Sequence, residues 1–90
     1  MGVLNLENKI IVLTKTNCSN CTKLKLYLEN TVDEDKQDNI RYILQDDEPE
    51  LFTEYAEKYN VASLPTVIHN DVSFINPNAS FIQSLVMREA

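Results

Sequence analysis

A chain of 90 residues has room for one domain and one modest core. Its apolar share of 43% is that of a folded globular protein and not of a disordered one. With 14 acidic against 8 basic residues and a net charge of −6, it lacks the basic surplus by which proteins neutralise phosphates. Nucleic acid is therefore not an expected partner, and an anionic membrane surface would repel the chain on average.

Residues 1–8 read as an N-terminal extension of a single domain spanning 1–90. They show no basic start followed by an apolar stretch, so no secretory signal is expected. Gly2 is followed at position 6 by leucine, where the myristoylation pattern asks for Ser or Thr. No apolar run approaches the length of a membrane span. The expected location is the cytoplasm. Gly2 is also the only glycine, so the turns are expected from Asn, Asp and Pro, which reach turn geometry by side-chain hydrogen bonds or a fixed φ.

The first element is a strand over 9–15. Its centre, Ile10-Ile11-Val12-Leu13, is continuous and β-branched, the pattern of a strand buried on both faces and usually a parallel one. After Thr16-Asn17 comes Cys18-Ser19-Asn20-Cys21, then a helix to about residue 30 or 32. Cys21, Leu24, Leu28 and Thr31 recur at helical spacing and are expected to face inward, with Leu26 and Tyr27 widening the apolar side. Residues 32–39 are polar and acidic and read as a surface loop.

A second strand follows over 40–44, with Ile40, Tyr42 and Leu44 alternating against Arg41 and Ile43. Pro49 suits the first position of a helix, where its missing N–H is harmless. Asp46, Asp47, Glu48 and Glu50 complement that helix's N-terminus. Leu51, Phe52, Tyr55, Ala56 and Tyr59 form its apolar stripe, and Asn60 is expected as a left-handed cap. Short strands over 66–69 and 72–75 flank Asn70-Asp71, a hairpin signal. After Asn76-Pro77-Asn78, a last helix carries Phe81, Ile82, Leu85 and Val86 on one side, with Arg88 near its C-terminus. The order is β-α-β-α-β-β-α. It predicts an α/β fold with a four-stranded mixed sheet and helices on both faces, because strands joined through a helix pair in parallel while the hairpin adds antiparallel strands.

The cysteine pair carries the chemistry. A C-x-x-C just after a buried strand and opening a helix is the redox arrangement. A helix N-terminus offers unpaired N–H groups and a partial positive charge, which stabilise a thiolate at Cys18. Only the thiolate attacks a disulfide, so a lowered pKa raises the reactive fraction. Cys21, one helical turn on, can reach Cys18 and resolve a mixed disulfide. The first turns of this helix carry Lys23 and Lys25 and no acid, and Lys15 lies three residues before Cys18. All three suit an anion held there. A structural role for the bridge is disfavoured, since a disulfide closing so small a loop stabilises little. A zinc site would need four ligands, and beyond the two cysteines only His69 and carboxylates remain as conventional candidates. No metal is expected.

The second signal is Ser63-Leu64-Pro65-Thr66, a proline at the entrance of an apolar strand. With Cys18-Ser19-Asn20-Cys21 before it in this order of elements, the chain from residue 9 onward resembles the thioredoxin and glutaredoxin superfamily. The resemblance implies a thioredoxin fold, a cis Leu64–Pro65 bond lying against the dithiol, and thiol–disulfide oxidoreductase activity. It makes Cys18 and Cys21 catalytic and Lys15, Leu64 and Pro65 substrate-binding. The segment Leu13-Thr14-Lys15-Thr16-Asn17-Cys18 and the short length are similar to glutaredoxins. Lys58-Tyr59-Asn60-Val61-Ala62-Ser63-Leu64-Pro65-Thr66 is closer to thioredoxins.

Glutathione as co-substrate follows from the resemblance only in part. Lys15 and the Leu64 backbone match family positions that meet the tripeptide. Phe52 stands where an arginine or glutamine usually assists, and Ile75-Asn76-Pro77-Asn78 replaces the glycine pair before the last helix. The leading expectation is a dithiol reductase of protein disulfides, with a monomeric chain recharged by thioredoxin reductase or by glutathione. The alternatives are a glutathione-dependent glutaredoxin and a metal or iron–sulfur carrier. His69 is expected as a solvated turn residue, Tyr27, Tyr42, Tyr55 and Tyr59 as packing, and Asp46, Asp47 and Glu48 as helix capping.

Overall fold

The apolar run that opens the domain becomes the interior of a sheet. In a computed structural model, which describes residues 9–88, this run is β1, Ile10–Thr14, with every residue buried. The expected extension at 1–8 lies outside the described residues. Then come α1 (Ser19–Thr31), a 3₁₀ helix (Glu34–Asn39), β2 (Ile40–Leu44), α2 (Pro49–Lys58), β3 (Thr66–His69), β4 (Val72–Ile75) and α3 (Ala79–Arg88). The sheet order is β2-β1-β3-β4. β1 runs parallel to β2, with Ile10 opposite Ile40 and Thr14 opposite Leu44. It runs antiparallel to β3, with Leu13 opposite Thr66, and β3 pairs antiparallel with β4. The expected mixed four-stranded sheet is therefore present. No helix among the described residues is long and apolar enough to cross a membrane.

Alternation along β1 divides the core between two layers, because successive side chains leave a strand on opposite faces. Ile10 and Val12 pack with Leu24, Leu28 and Val32, and with Ile82, Leu85 and Val86 of α3. Ile11 and Leu13 pack with Ile43, Ile68 and Phe52 of α2. Helices thus cover both faces. β2 alternates between the same layers, with Ile40 and Tyr42 in one and Ile43 in the other.

Three expectations about packing change. Thr31 is exposed and Val32 is the buried residue that closes α1. Leu26 and Tyr27 are exposed at 52% and 38%, so they widen no buried face. The expected loop over 32–39 holds the 3₁₀ helix, whose Gln37 amide donates to the Leu28 and Val32 carbonyls at 3.0 Å each. Both carbonyls lie at the end of α1, where Leu28 O also accepts the Val32 N–H at 3.0 Å and the last carbonyls run out of partners from the helix itself.

The turns are made without glycine. Asn17, Asn60, Asn70, Asp71 and Asn76 all have positive φ, from 46° to 65°. At the end of α2, Val61 N–H donates to Ala56 O at 2.9 Å and Asn60 N–H to Glu57 O at 3.4 Å. This is the Schellman pattern with asparagine in the left-handed position. Asn70 and Asp71, both left-handed, form the two-residue hairpin turn expected between β3 and β4. The Asp71 carboxylate also accepts the Tyr59 hydroxyl at 2.7 Å, an acceptor that pushes the Tyr59 pKa up to about 12. α3 begins with Asn78 as its cap, whose side-chain oxygen accepts Ser80 N–H at 2.9 Å.

Candidate functional site

The site grows out of the parallel pairing of β1 and β2. Past the last register pair, Gln45 N–H still donates to Thr14 O at 3.0 Å. The Thr16 hydroxyl donates to the Asp46 carboxylate. Asn17, at φ 62°, then turns the chain away from the sheet. Cys18 follows with extended backbone as the N-cap of α1. Its carbonyl accepts Thr22 N–H at 3.0 Å and the Thr22 hydroxyl at 3.1 Å. Its sulfur accepts Cys21 N–H at 3.2 Å. A sulfur occupies the place that a serine or aspartate oxygen usually takes at a cap.

Cys18 and Cys21 are joined by a disulfide, with Cα atoms 5.2 Å apart. The two sulfurs differ in access. Cys18 is half-buried, whereas Cys21 faces the core and is only 3% exposed. The first turn of α1 holds no acidic residue. In the reduced form, a charge at the Cys18 sulfur would meet the N–H group of Cys21 and the positive end of a 13-residue helix.

The expected substrate-binding residues occupy different surroundings. The Leu64–Pro65 peptide bond is cis. Pro65 is fully buried, and its carbonyl accepts Asn76 N–H at 2.7 Å. It lines a cavity of ≈ 280 Å³ with Asn20, Lys23 and Tyr27 of α1 and Pro77 and Ala79 at the start of α3. Asn20 belongs to the C-x-x-C segment itself, so this cavity borders the dithiol turn. Leu64 is half-buried against the α2 layer. Lys15 is exposed on the loop after β1.

Other expected roles are reassigned. Lys25 lies over the ring of Tyr42, 5.3 Å from its centroid, so its charge is engaged on β2. Lys23 stays on the cavity wall. Phe52 is buried in the core and presents nothing to a ligand. His69 is no solvated turn residue: it closes β3, 8% exposed. Glu48 is the N-cap of α2 by position, yet its side chain makes no capping bond. Both its oxygens accept from Arg41, at 3.0 and 2.6 Å. That pairing holds the Glu48 carboxyl below the usual carboxylate range and the Arg41 pKa above its own. Asp46, also expected at the helix end, instead receives Thr16. Among the described residues, no three His, Cys, Asp or Glu side chains are grouped as a metal ion would need.

Two features of the site escape a reading of the sequence. The Thr16–Asp46 bond joins residues 30 apart, and only the parallel register brings them level. The cavity wall at Tyr27 is the second. Tyr27 reads as packing, and only its 38% exposure beside Lys23 reveals it as surface. No known protein-family model matches the chain, and no curated protein matches it.

Proposed function

We propose that this chain is a thiol–disulfide oxidoreductase of the thioredoxin-fold class that reduces protein disulfides through Cys18 and Cys21. One observation carries the proposal. The two cysteines occupy the cap and third position of the helix that follows the central strand, with the accessible sulfur at the helix N-terminus and the buried one a turn behind. The element order, the mixed sheet and the cis proline beside the cavity support the fold assignment.

The reaction runs in two exchanges. The Cys18 thiolate attacks one sulfur of a target disulfide, which gives a mixed disulfide and releases the other target sulfur as a thiolate that takes a proton. Cys21, deprotonated, then attacks the Cys18 sulfur and releases the second target thiolate. Two electrons pass to the target, and the chain is left with the Cys18–Cys21 disulfide seen here. A thiol reductant returns those electrons, and such a reducing supply suits the cytoplasm. The exposed rim around Lys15 and Tyr27, with the cavity that the buried Pro65 backs, forms the docking surface for a monomeric enzyme and its protein substrate.

Glutathione is the weaker of the two candidate reductants. Phe52 is engaged in the core, and the Ser80 N–H at the start of α3 is occupied by the Asn78 side chain. The test follows turnover of a protein disulfide with thioredoxin reductase and, in parallel, with glutathione and its reductase. Alkylation mapping of the reduced protein at neutral pH accompanies it. Cys18→Ser is expected to abolish turnover and Cys21→Ser to trap the mixed disulfide, with Cys18 alkylated first. Undiminished turnover in Cys18→Ser, or faster labelling of Cys21, would overturn the assignment. Robust turnover with glutathione alone would make the chain a glutaredoxin in function.

A further inference from the structure

We infer that Asp46 is a positioning residue for Cys18, acting through the hydroxyl of Thr16. The inference rests on the proposed function only in taking Cys18 as the thiol that carries the charge. β1 and β2 end level, with Thr14 opposite Leu44. Two residues beyond that pair on each strand lie Thr16 and Asp46, and their side chains continue the cross-link where the regular ladder has ended. Asp46 is itself held from behind. The turn that carries it is closed by Asp47 N–H and Glu48 N–H, both donating to Leu44 O at 3.0 and 2.9 Å, and Glu48 is gripped by Arg41.

Thr16 is the last residue tied to the sheet before the dithiol. Asn17 beyond it sits in the left-handed region, where non-glycine residues need support from their surroundings. Cys18 then has to present its sulfur to Cys21 N–H, a contact of 3.2 Å. Without the Thr16–Asp46 bond, only Asn17 and the start of α1 determine where that sulfur lies. With it, the loop is fixed at both ends, and the thiolate stays within reach of the N–H group that stabilises it. The charged side chains on the segments that meet here are Lys15 on the same loop, Lys23 and Lys25 near the start of α1, and Asp46, Asp47 and Glu48 after β2, of which Lys25 is engaged by Tyr42 and Glu48 by Arg41.

Three full-length variants separate the bond from the charge. Thr16→Val removes the hydroxyl at nearly constant shape. Thr16→Ser keeps it. Asp46→Asn keeps an acceptor oxygen and removes the negative charge. The readouts are the Cys18 pKa of the reduced protein, from thiolate absorbance against pH, and the equilibrium of the dithiol with a glutathione redox buffer. A thermal unfolding curve reports folding. Thr16→Val is expected to raise the Cys18 pKa by about half a unit or more, as the sulfur loses a hydrogen bond that favours its charged form. It should also slow disulfide exchange by roughly threefold to tenfold through misplacement of the attacking atom. Thr16→Ser should match the wild type, and Asp46→Asn should leave the pKa level or lower it. A Thr16→Val protein that folds and keeps the wild-type pKa overturns the inference, as does a rise confined to Asp46→Asn. A wild type inactive in disulfide exchange whose Thr16→Val variant still shows the raised pKa would refute the proposed function and leave this inference standing.

Discussion

Tyr42 offers a stability prediction of unusual sign. Its ring packs at the edge of the α1–α3 layer and carries Lys25 over its face at 5.3 Å. Its hydroxyl is buried and, among the described residues, has no hydrogen-bond partner. A buried hydroxyl left without a partner costs about 1–3 kcal/mol. Because the residue as a whole is half-buried, the lower end of that range applies. Tyr42→Phe keeps the ring and the cation over it, and removes the hydroxyl. The variant is expected to be more stable by about 1 kcal/mol, which for a domain of this size raises the melting temperature by about 4–8 °C. The pH dependence has a definite sign. Burial pushes the Tyr42 pKa up to about 12, above the value of about 10 in the unfolded chain. Above pH of about 10 the folded chain therefore holds a proton that the unfolded chain has lost, and stability falls as pH rises towards 12. Tyr42→Phe lacks that loss, so its advantage should widen between those limits. Urea unfolding of both proteins at neutral and alkaline pH provides the measurement, with the midpoint shifting at constant m. A variant less stable than the wild type, or one whose advantage vanishes in alkali, would refute the reasoning.

Two further predictions concern the Arg41–Glu48 pair and Asn60. The Glu48 carboxyl is held below its usual range by Arg41, so its contribution is present above the unfolded value of about 4.3 and fades as pH falls through the folded value. Glu48→Gln should therefore be less stable than the wild type at neutral pH and equal to it in acid, as read by thermal melts across that range; a constant gap would count against the pairing. Asn60→Ala should lose about 1–2 kcal/mol, because a Cβ without a local hydrogen bond is penalised at positive φ. Asn60→Gly should stay within about 0.5 kcal/mol of the wild type, since relief of that strain opposes the added freedom of the unfolded chain. Chemical denaturation of both settles the order.

The elements that could be read from sequence were those with local causes. β2, β3 and β4 begin and end where their apolar runs do, and Asn70-Asp71 marks its own turn. The dithiol was legible because C-x-x-C needs only one helical turn to make chemical sense. What stayed hidden was decided at a distance. The 3₁₀ helix over an acidic stretch owes its place to Gln37 reaching back to the carbonyls of α1. Lys25 leaves the dithiol for an aromatic ring on a strand 17 residues ahead. Glu48 serves Arg41 instead of its own helix. His69, polar and beside a turn, is drawn inside because β3 lies in the middle of the sheet. Gln37, Lys25 and Glu48 each take a partner outside their own element, and hydrophobic period carries no information about that choice.

The five left-handed residues have a consequence for the state that competes with the native one. Glycine roams more widely in a denatured chain than any other residue, and it gives up the most freedom when the chain folds. By building its bends from asparagine and aspartate, this sequence begins folding from a narrower set of conformations. Each such position, compared with glycine, removes about 0.4–1 kcal/mol of denatured-chain entropy where the native geometry is tolerated. The left-handed backbone takes back part of that gain, and hydrogen bonds at those positions, such as Tyr59 to Asp71, recover some of it. For a domain with so small an interior, part of its persistence lies in the stiffness of the disordered chain, where no contact in the folded structure would reveal it.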